Sequence, residues 1–162
     1  MTATGDRRDP YLGMRFRVEI DGLQVGGFSA VSGLGMQVEV TAYREGGENQ
    51  FEYRLPGPVS YPGNIVLRHG LTDATVFWDW LGQVALGVVI RRNLTITLLG
   101  LDGEPAVLWD CRQVFPVRWS GPELDANAAS AAFESVELAH HGITRAAGLS
   151  LISATDTVRK WL

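Results

Sequence analysis

Four glycines, Gly26, Gly27, Gly33 and Gly35, stand close enough together to suggest a loop that wraps a phosphate. Such loops need GxxxxGK(S/T), or a GxGxxG that opens a helix, because the anion sits on free backbone N–H groups at a helix start. Neither pattern is present, so these read as turn and bulge glycines. His140 and His141 are adjacent. Neighbours in a strand face opposite sides, so the two cannot chelate one ion, and His69 stands alone. Glu45 and Glu48 lie near enough for paired acid–base work. They sit in a glycine-rich loop with no apolar pocket to push their protonation apart. The single cysteine, Cys111, excludes an intramolecular disulfide and a CxxC metal site, and reads as a buried structural thiol. Of the five tryptophans, Trp80 falls on a helix stripe, while Trp78 and Trp161 are candidates for an interface, where tryptophan is enriched. Arg91-Arg92 reads as solvated charge or, second, as one side of an inter-subunit salt bridge. No Ser-His-Asp or Cys-His set is identifiable from spacing, so the residues predict no enzyme, metal or cofactor.

The elements that would carry these residues are mostly strands. Met14, Phe16, Val18 and Ile20 alternate with Arg15, Arg17 and Glu19, the pattern of a half-buried strand. Asp21-Gly22 then favours a two-residue hairpin turn, with a return strand over Gln24–Val31 and a bulge or close approach at Gly26-Gly27. Met36, Val38 and Val40 alternate in a third strand, and Ile65–Arg68 makes a short one. Leu94, Ile96 and Leu98, the Asp102-Gly103 turn and Val107–Cys111 predict a second hairpin. Phe115, Val117 and Trp119 are expected to share one face, with Pro116 at a sheet edge or bulge. Val136 and Leu138 mark a last strand ending at His140-His141-Gly142.

One helix is expected over 72–84. Thr72 would cap it, and Leu71 and Val76 would staple it. Val76, Phe77, Trp80, Leu81 and Val84 form its apolar stripe, and Gly82 and Gly87 limit its length. Residues 1–13 read as a flexible lead-in, 14–144 as one β domain, and 145–162 as a tail with helical spacing at Leu151, Thr155, Val158 and Leu162. Seven or so short strands with two Asp-Gly turns imply a mostly β fold: two packed antiparallel sheets, as a sandwich or split barrel, with one short α-helix.

The segment 42–64 stands apart. It is a long polar stretch rich in glycine and proline, yet Tyr43, Phe51, Tyr53, Leu55 and Tyr61 are spaced through it. Long loops are usually functional or disordered, and disordered ones are poor in aromatics. It is expected to be an extended arm that orders against a partner.

The chain has 162 residues and a net charge of −4, with 46% hydrophobic and 20% charged residues. A domain of this size buries roughly 70% of the surface of its unfolded chain, enough for a core without staples. No basic footprint for nucleic acid is present. There is no signal-peptide stretch or membrane-length apolar run, so synthesis and folding in the cytoplasm are expected.

In chain order, several stretches resemble the tail-tube protein family of contractile phages and phage-like contractile injection systems. Asp9-Pro10 with Phe16–Gly22 looks like that family's first hairpin. Gly27-Phe28-Ser29-Ala30-Val31-Ser32-Gly33-Leu34 resembles its GF-x-x-VSGL signature. Tyr43-Arg44-Glu45-Gly46-Gly47 with Leu55-Pro56-Gly57 resembles its YREGG…LPG arm. Ile65–Gly70, the helix with Trp80, Arg91-Arg92-Asn93, Asp102-Gly103, Trp109 and Glu134–Gly142 follow in the family's order. His141 departs from the pattern, where an acidic residue is expected, and the tail from Arg145 is longer than that of a plain tube subunit.

The resemblance implies a structural subunit that forms hexameric rings. The rings stack into a rigid conduit that a contracting sheath drives through a target envelope. It implies baseplate and terminator proteins as further partners, and DNA or protein cargo passing without specific binding. The product would be a phage tail or tail-like particle with no membrane anchor. The arm residues Tyr43, Arg44, Glu45, Gly46, Gly47, Phe51, Tyr53, Leu55, Pro56 and Tyr61 would then contact a neighbouring subunit. The competing readings are a β-sandwich module that binds a glycan or peptide, and a specialised tube paralogue that joins the tube to its baseplate or terminator.

Overall fold

The computed structural model describes residues 11–25, 27–47, 51–70, 75–127 and 131–147. Trp161 and the predicted C-terminal helix therefore lie outside the described residues, as do Leu71, Thr72 and Glu48. Among the described residues the chain is mostly β and antiparallel, with one short helix. It divides into two compact units.

The first unit takes the N-terminal part to Gly26, Leu94–Asp110 and the chain from Thr144. Strand β1 (Phe16–Ile20) turns at Asp21-Gly22 into β2 (Leu23–Val25). Both turn residues have positive φ, 50° and 78°, the backbone a two-residue hairpin turn requires. On its other side β1 pairs with β7 (Arg92–Leu99), Phe16 opposite Leu98 and Ile20 opposite Leu94. Val18, Ile20, Leu94, Ile96 and Val107 are buried, so the alternation in the sequence does mark a buried face. The buried contribution is about 1.5–3 kcal/mol for each such side chain. Strand β8 (Pro105–Ser120) returns from Asp102-Gly103, and Thr95 Oγ1 donates to Asp110 Oδ1 at 2.6 Å across the hairpin. Strand β10 (Ile143–Ala147), which the sequence reading assigned to the end of the domain and the start of the tail, pairs with β8.

Strand β8 is one 16-residue element, not the two pieces expected, and its residues from Cys111 onward belong to the second unit. Gln113 breaks its regularity with φ 54°. Pro116 sits where the β8–β9 register shifts, the bulge a strand proline demands. The irregularities also change which residues are inside. Val114 and Pro116 are fully buried, Phe115 and Trp119 are half-buried, and Val117 is exposed.

The second unit orders its strands β8, β9 (Phe133–Ala139), β6 (Ile65–Gly70) and β3 (Phe28–Ser32). The expected single return strand from Gln24 to Val31 is thus β2 and β3, separated at Gly27 with φ 85°. Ile65, Leu67, Cys111, Val114, Val136 and Leu138 form a fully buried set.

Helix α1 (Val76–Ala85) starts after Thr75, whose hydroxyl donates to Asp79 Oδ2 at 2.7 Å. It stops at Gly87, whose φ of 86° permits the closing bond from its N–H to the Val84 carbonyl. Gly82 lies inside it and does not limit it. Phe77 and Trp80 are buried, and Leu81 and Val84 are half-buried. Val76 is a correction: at 48% exposure it lies off the buried stripe. Phe77 meets Phe28 and His69 edge-on, with ring centroids 5.8 Å away in each case. Phe77→Ala is expected to lower stability by about 3–5 kcal/mol. Val76→Ser should stay within about 0.5 kcal/mol. Urea unfolding of both variants checks the pair.

Candidate assembly interface

The histidines, the arginine pair and the cysteine first weighed for chemistry make contacts within the chain. His69 and Glu134 face each other across β6 and β9 in a buried pair, Nε2 to Oε1 at 2.8 Å. His69 Nδ1 donates to the Gly70 carbonyl at 2.9 Å, and Trp119 Nε1 donates to Glu134 Oε2 at 2.9 Å. Trp119 also carries exposed Trp78 edge-on at 4.7 Å. His140 and His141 do diverge: His140 Nε2 donates to the Gly63 carbonyl at 3.1 Å, while His141 Nε2 accepts from Arg91 at 2.9 Å. Arg91 lies over the Phe115 ring, and Arg92 over Trp80. These arginines are stacked on aromatics within their own chain, not simply solvated. Cys111 is buried. Among the described residues no group of His, Cys, Asp and Glu could hold a metal ion.

The segment 42–64 differs from the loop expected. Strand β4 (Gln37–Tyr43) pairs antiparallel with β5 (Tyr53–Ser60) in a separate two-stranded ribbon. Tyr43 lies opposite Tyr53, Thr41 opposite Leu55, and Val40 opposite Pro56. A proline has no N–H to give a ladder, so it is tolerated where one side of the strand is unpaired. Among the described residues no strand pairs the outer edge of β5. A bulge between Val38 and Val40 absorbs Gly57-Pro58, and Gly57 fits closely there, since a Cβ would stand 3.0 Å from the Glu39 carbonyl oxygen.

The ribbon has a tip, a shaft and a root. At the tip Arg44 donates to Glu52 Oε1 at 2.9 Å, and Gly47 turns with φ 106°. Glu45 and Gly46 are exposed beside it. Along the shaft Val38, Val40, Tyr43, Phe51, Tyr53, Leu55 and Val59 are between 42% and 57% exposed. The alternation in β4 therefore does not mark burial within the chain, contrary to the half-buried strand expected. At the root, Gly33 (φ 88°) leaves β3 so close to Asn64 that a Cβ would overlap the Asn64 carbonyl oxygen. Asn64 Nδ2 donates to Glu137 Oε1 at 2.7 Å. Tyr61 packs on His140 with centroids 5.5 Å apart, so it belongs to this root and not to the projecting arm.

A ribbon anchored firmly at its root and apolar along its shaft is a surface built to be covered. The sequence profile of T4-like virus tail tube protein gp19 matches residues 12–144. The chain belongs to that tail tube protein family. The match covers all of the second unit, the ribbon included, and residues 12–26 and 94–110 of the first. Among solved structures, this tail tube protein is similar to a chain of the PVC extracellular contractile injection system in its extended sheath–tube complex. The TM-score is 0.77 at 28% identity, covering 85% of this chain and 92% of that one. A chain of the anti-feeding prophage tube-terminating cap gives 0.79 at 26% identity, covering 91% and 99%. A chain of the PVC sheath/tube terminator gives 0.78 at 27% identity, covering 86% and 99%. No curated protein matches by sequence. Among the described residues no helix is long and apolar enough to cross a membrane.

Proposed function

We infer that copies of this tail tube protein close into rings and that the rings stack into the inner tube of a contractile tail or injection particle. The observation that carries this reading is the exposed apolar ribbon, held by a rigid root and left uncovered by its own chain. Head-to-tail contacts of one chain either close as rings or propagate as filaments, and a stacked ring uses both. The ring has six subunits in this reading, as the 6-fold symmetrised baseplate structure of the anti-feeding prophage suggests; one of its chains aligns with this one at a TM-score of 0.77.

The sheath, the baseplate and a terminator are the further partners, by analogy with the complexes in which the similar chains are found. Cargo, DNA or protein, passes through the lumen without specific binding, in keeping with the net charge of −4. The chain is made in the cytoplasm and acts as a structural part, not an enzyme. The arm residues Tyr43, Arg44, Glu45, Gly46, Gly47, Phe51, Tyr53, Leu55 and Pro56 make the contact between subunits. Light scattering on the purified protein should give a ring mass of six times 17.7 kDa, or larger stacks. A single 17.7 kDa species at every concentration and salt tested would reject the reading.

A further inference from the structure

A cleft of about 340 Å³ opens within the first unit, where β1 begins and β7 ends. Tyr11, Leu12, Leu99 and Leu101 give it apolar walls, and Arg15 and Asp102 add two charges. The walls are tied in place. The Leu99 N–H donates to the Arg15 carbonyl at 2.9 Å, and Arg15 Nη1 donates to the Leu101 carbonyl at 3.2 Å. Asp102 Oδ1 accepts from the Glu104 N–H at 3.1 Å. The cleft is therefore formed before anything enters it. Yet Tyr11, Leu12 and Leu101 are 60%, 48% and 77% exposed. Large apolar side chains held open to water around a preformed hollow suit a surface that receives something.

The chain itself carries an occupant of the right chemistry. Residues 1–10 run directly into Tyr11, but Met1 is their one large apolar side chain. Residues 148–162 contain Leu149, Leu151, Ile152, Val158, Trp161 and Leu162. Their point of departure also fits. Strand β9 runs antiparallel to β8 with Ala139 opposite Phe115, and Arg112 then bonds to both His141 and Gly142. Strand β10 continues along β8 in that direction, so Ala147 lies toward the start of β8 and the Asp102-Gly103 turn. Strands β8 and β7 separate it from the cleft, about 10 Å at the usual strand spacing. The stretch 148–162 spans about 20 Å even if wound as a helix. Charge agrees as well. Arg159-Lys160 stand beside Trp161-Leu162, and the cleft sets Asp102 beside its apolar walls, with exposed Glu104 two residues on.

We propose that residues 148–162 dock in the cleft of their own chain. Trp161 and Leu162 lie against Tyr11, Leu12 and Leu101, and Arg159 and Lys160 face Asp102 and Glu104. The matched family profile stops at residue 144, so the contact concerns chain that the profile does not describe. It covers apolar surface of the first unit without a second copy, and it does not depend on the tube reading.

The test places the photo-crosslinker p-benzoylphenylalanine at Leu101 in the full chain, refolded from an equal mixture of heavy-isotope-labelled and unlabelled protein. The expected product joins position 101 to a peptide from 148–162, with both halves of every product in the same isotope state. Products of mixed label would place the tail on another copy and overturn docking within the chain. Crosslinks that never include 148–162 would overturn it too. Melting temperatures give a second readout. Leu101→Ser should lower the melting temperature by about 4 °C or more in the full chain, and by less than about 2 °C once residues 148–162 are deleted. Equal shifts in the two backgrounds would show that residue 101 does not feel the tail, and the inference would be wrong. Neither measurement needs rings to form, so its failure leaves the tube reading standing.

Discussion

Replacing Gly33 with alanine is expected to destabilise the protein by roughly 3–5 kcal/mol, which for a chain of this size lowers the melting temperature by about 10 °C or more. Two terms add. Alanine at φ 88° enters the left-handed region, at a cost of roughly 1–2 kcal/mol. Its methyl group would also overlap the Asn64 carbonyl oxygen, a backbone atom that no side-chain rotation can clear. Asn64 cannot retreat easily, because its side chain is tied to Glu137 and the next residue, Ile65, is fully buried. Gly35→Ala is the control. A Cβ there meets nothing within 4 Å and the φ is not positive, so that variant should melt within a few degrees of wild type. Equal losses in the two variants would show that the Gly33–Asn64 contact does not set the root.

Excising Gln37–Ser60, with a short Gly-Ser linker from Met36 to Tyr61, is expected to abolish long tubes and leave a folded monomer. The two ends of the ribbon already meet at Gly33 and Asn64, so a short bridge can close the gap. None of the fully buried residues lies in the excised stretch. Among the described residues the deletion removes seven exposed large hydrophobics, and the buried cores of both units remain. Circular dichroism and the melting temperature should therefore stay near wild type, while electron microscopy shows no tubes. Normal tubes from the deletion variant would remove the ribbon from the assembly. Loss of the folded state would mean that it supports its own chain.

The first hairpin and the hairpin at Asp102-Gly103 were legible in the sequence, because alternation and turn chemistry agreed there. The buried faces of β1, β7 and β9 followed from the same alternation. Strand β5 was not legible, since Pro56, Gly57 and Pro58 belong to the residues that strands exclude. They are accommodated by an unpaired edge and a bulge, and neither leaves a mark in composition. Strand β8 was hidden in the same way: Gln113 and Pro116 look like breaks and are kinks in one continuous strand. Val76 looked like part of a buried stripe because hydropathy cannot tell which apolar residues of a helix turn outward. In β4 the alternation was real, yet its apolar side is uncovered in the single chain. The family resemblance supplied what periodicity could not, namely the proposal that the cover comes from other copies.

Negative-stain electron microscopy of the purified protein tests the central claim most directly. The account predicts rings with sixfold symmetry and tubes of stacked rings, lengthening as concentration rises. A field of separate monomers under every condition that keeps the chain folded would contradict it.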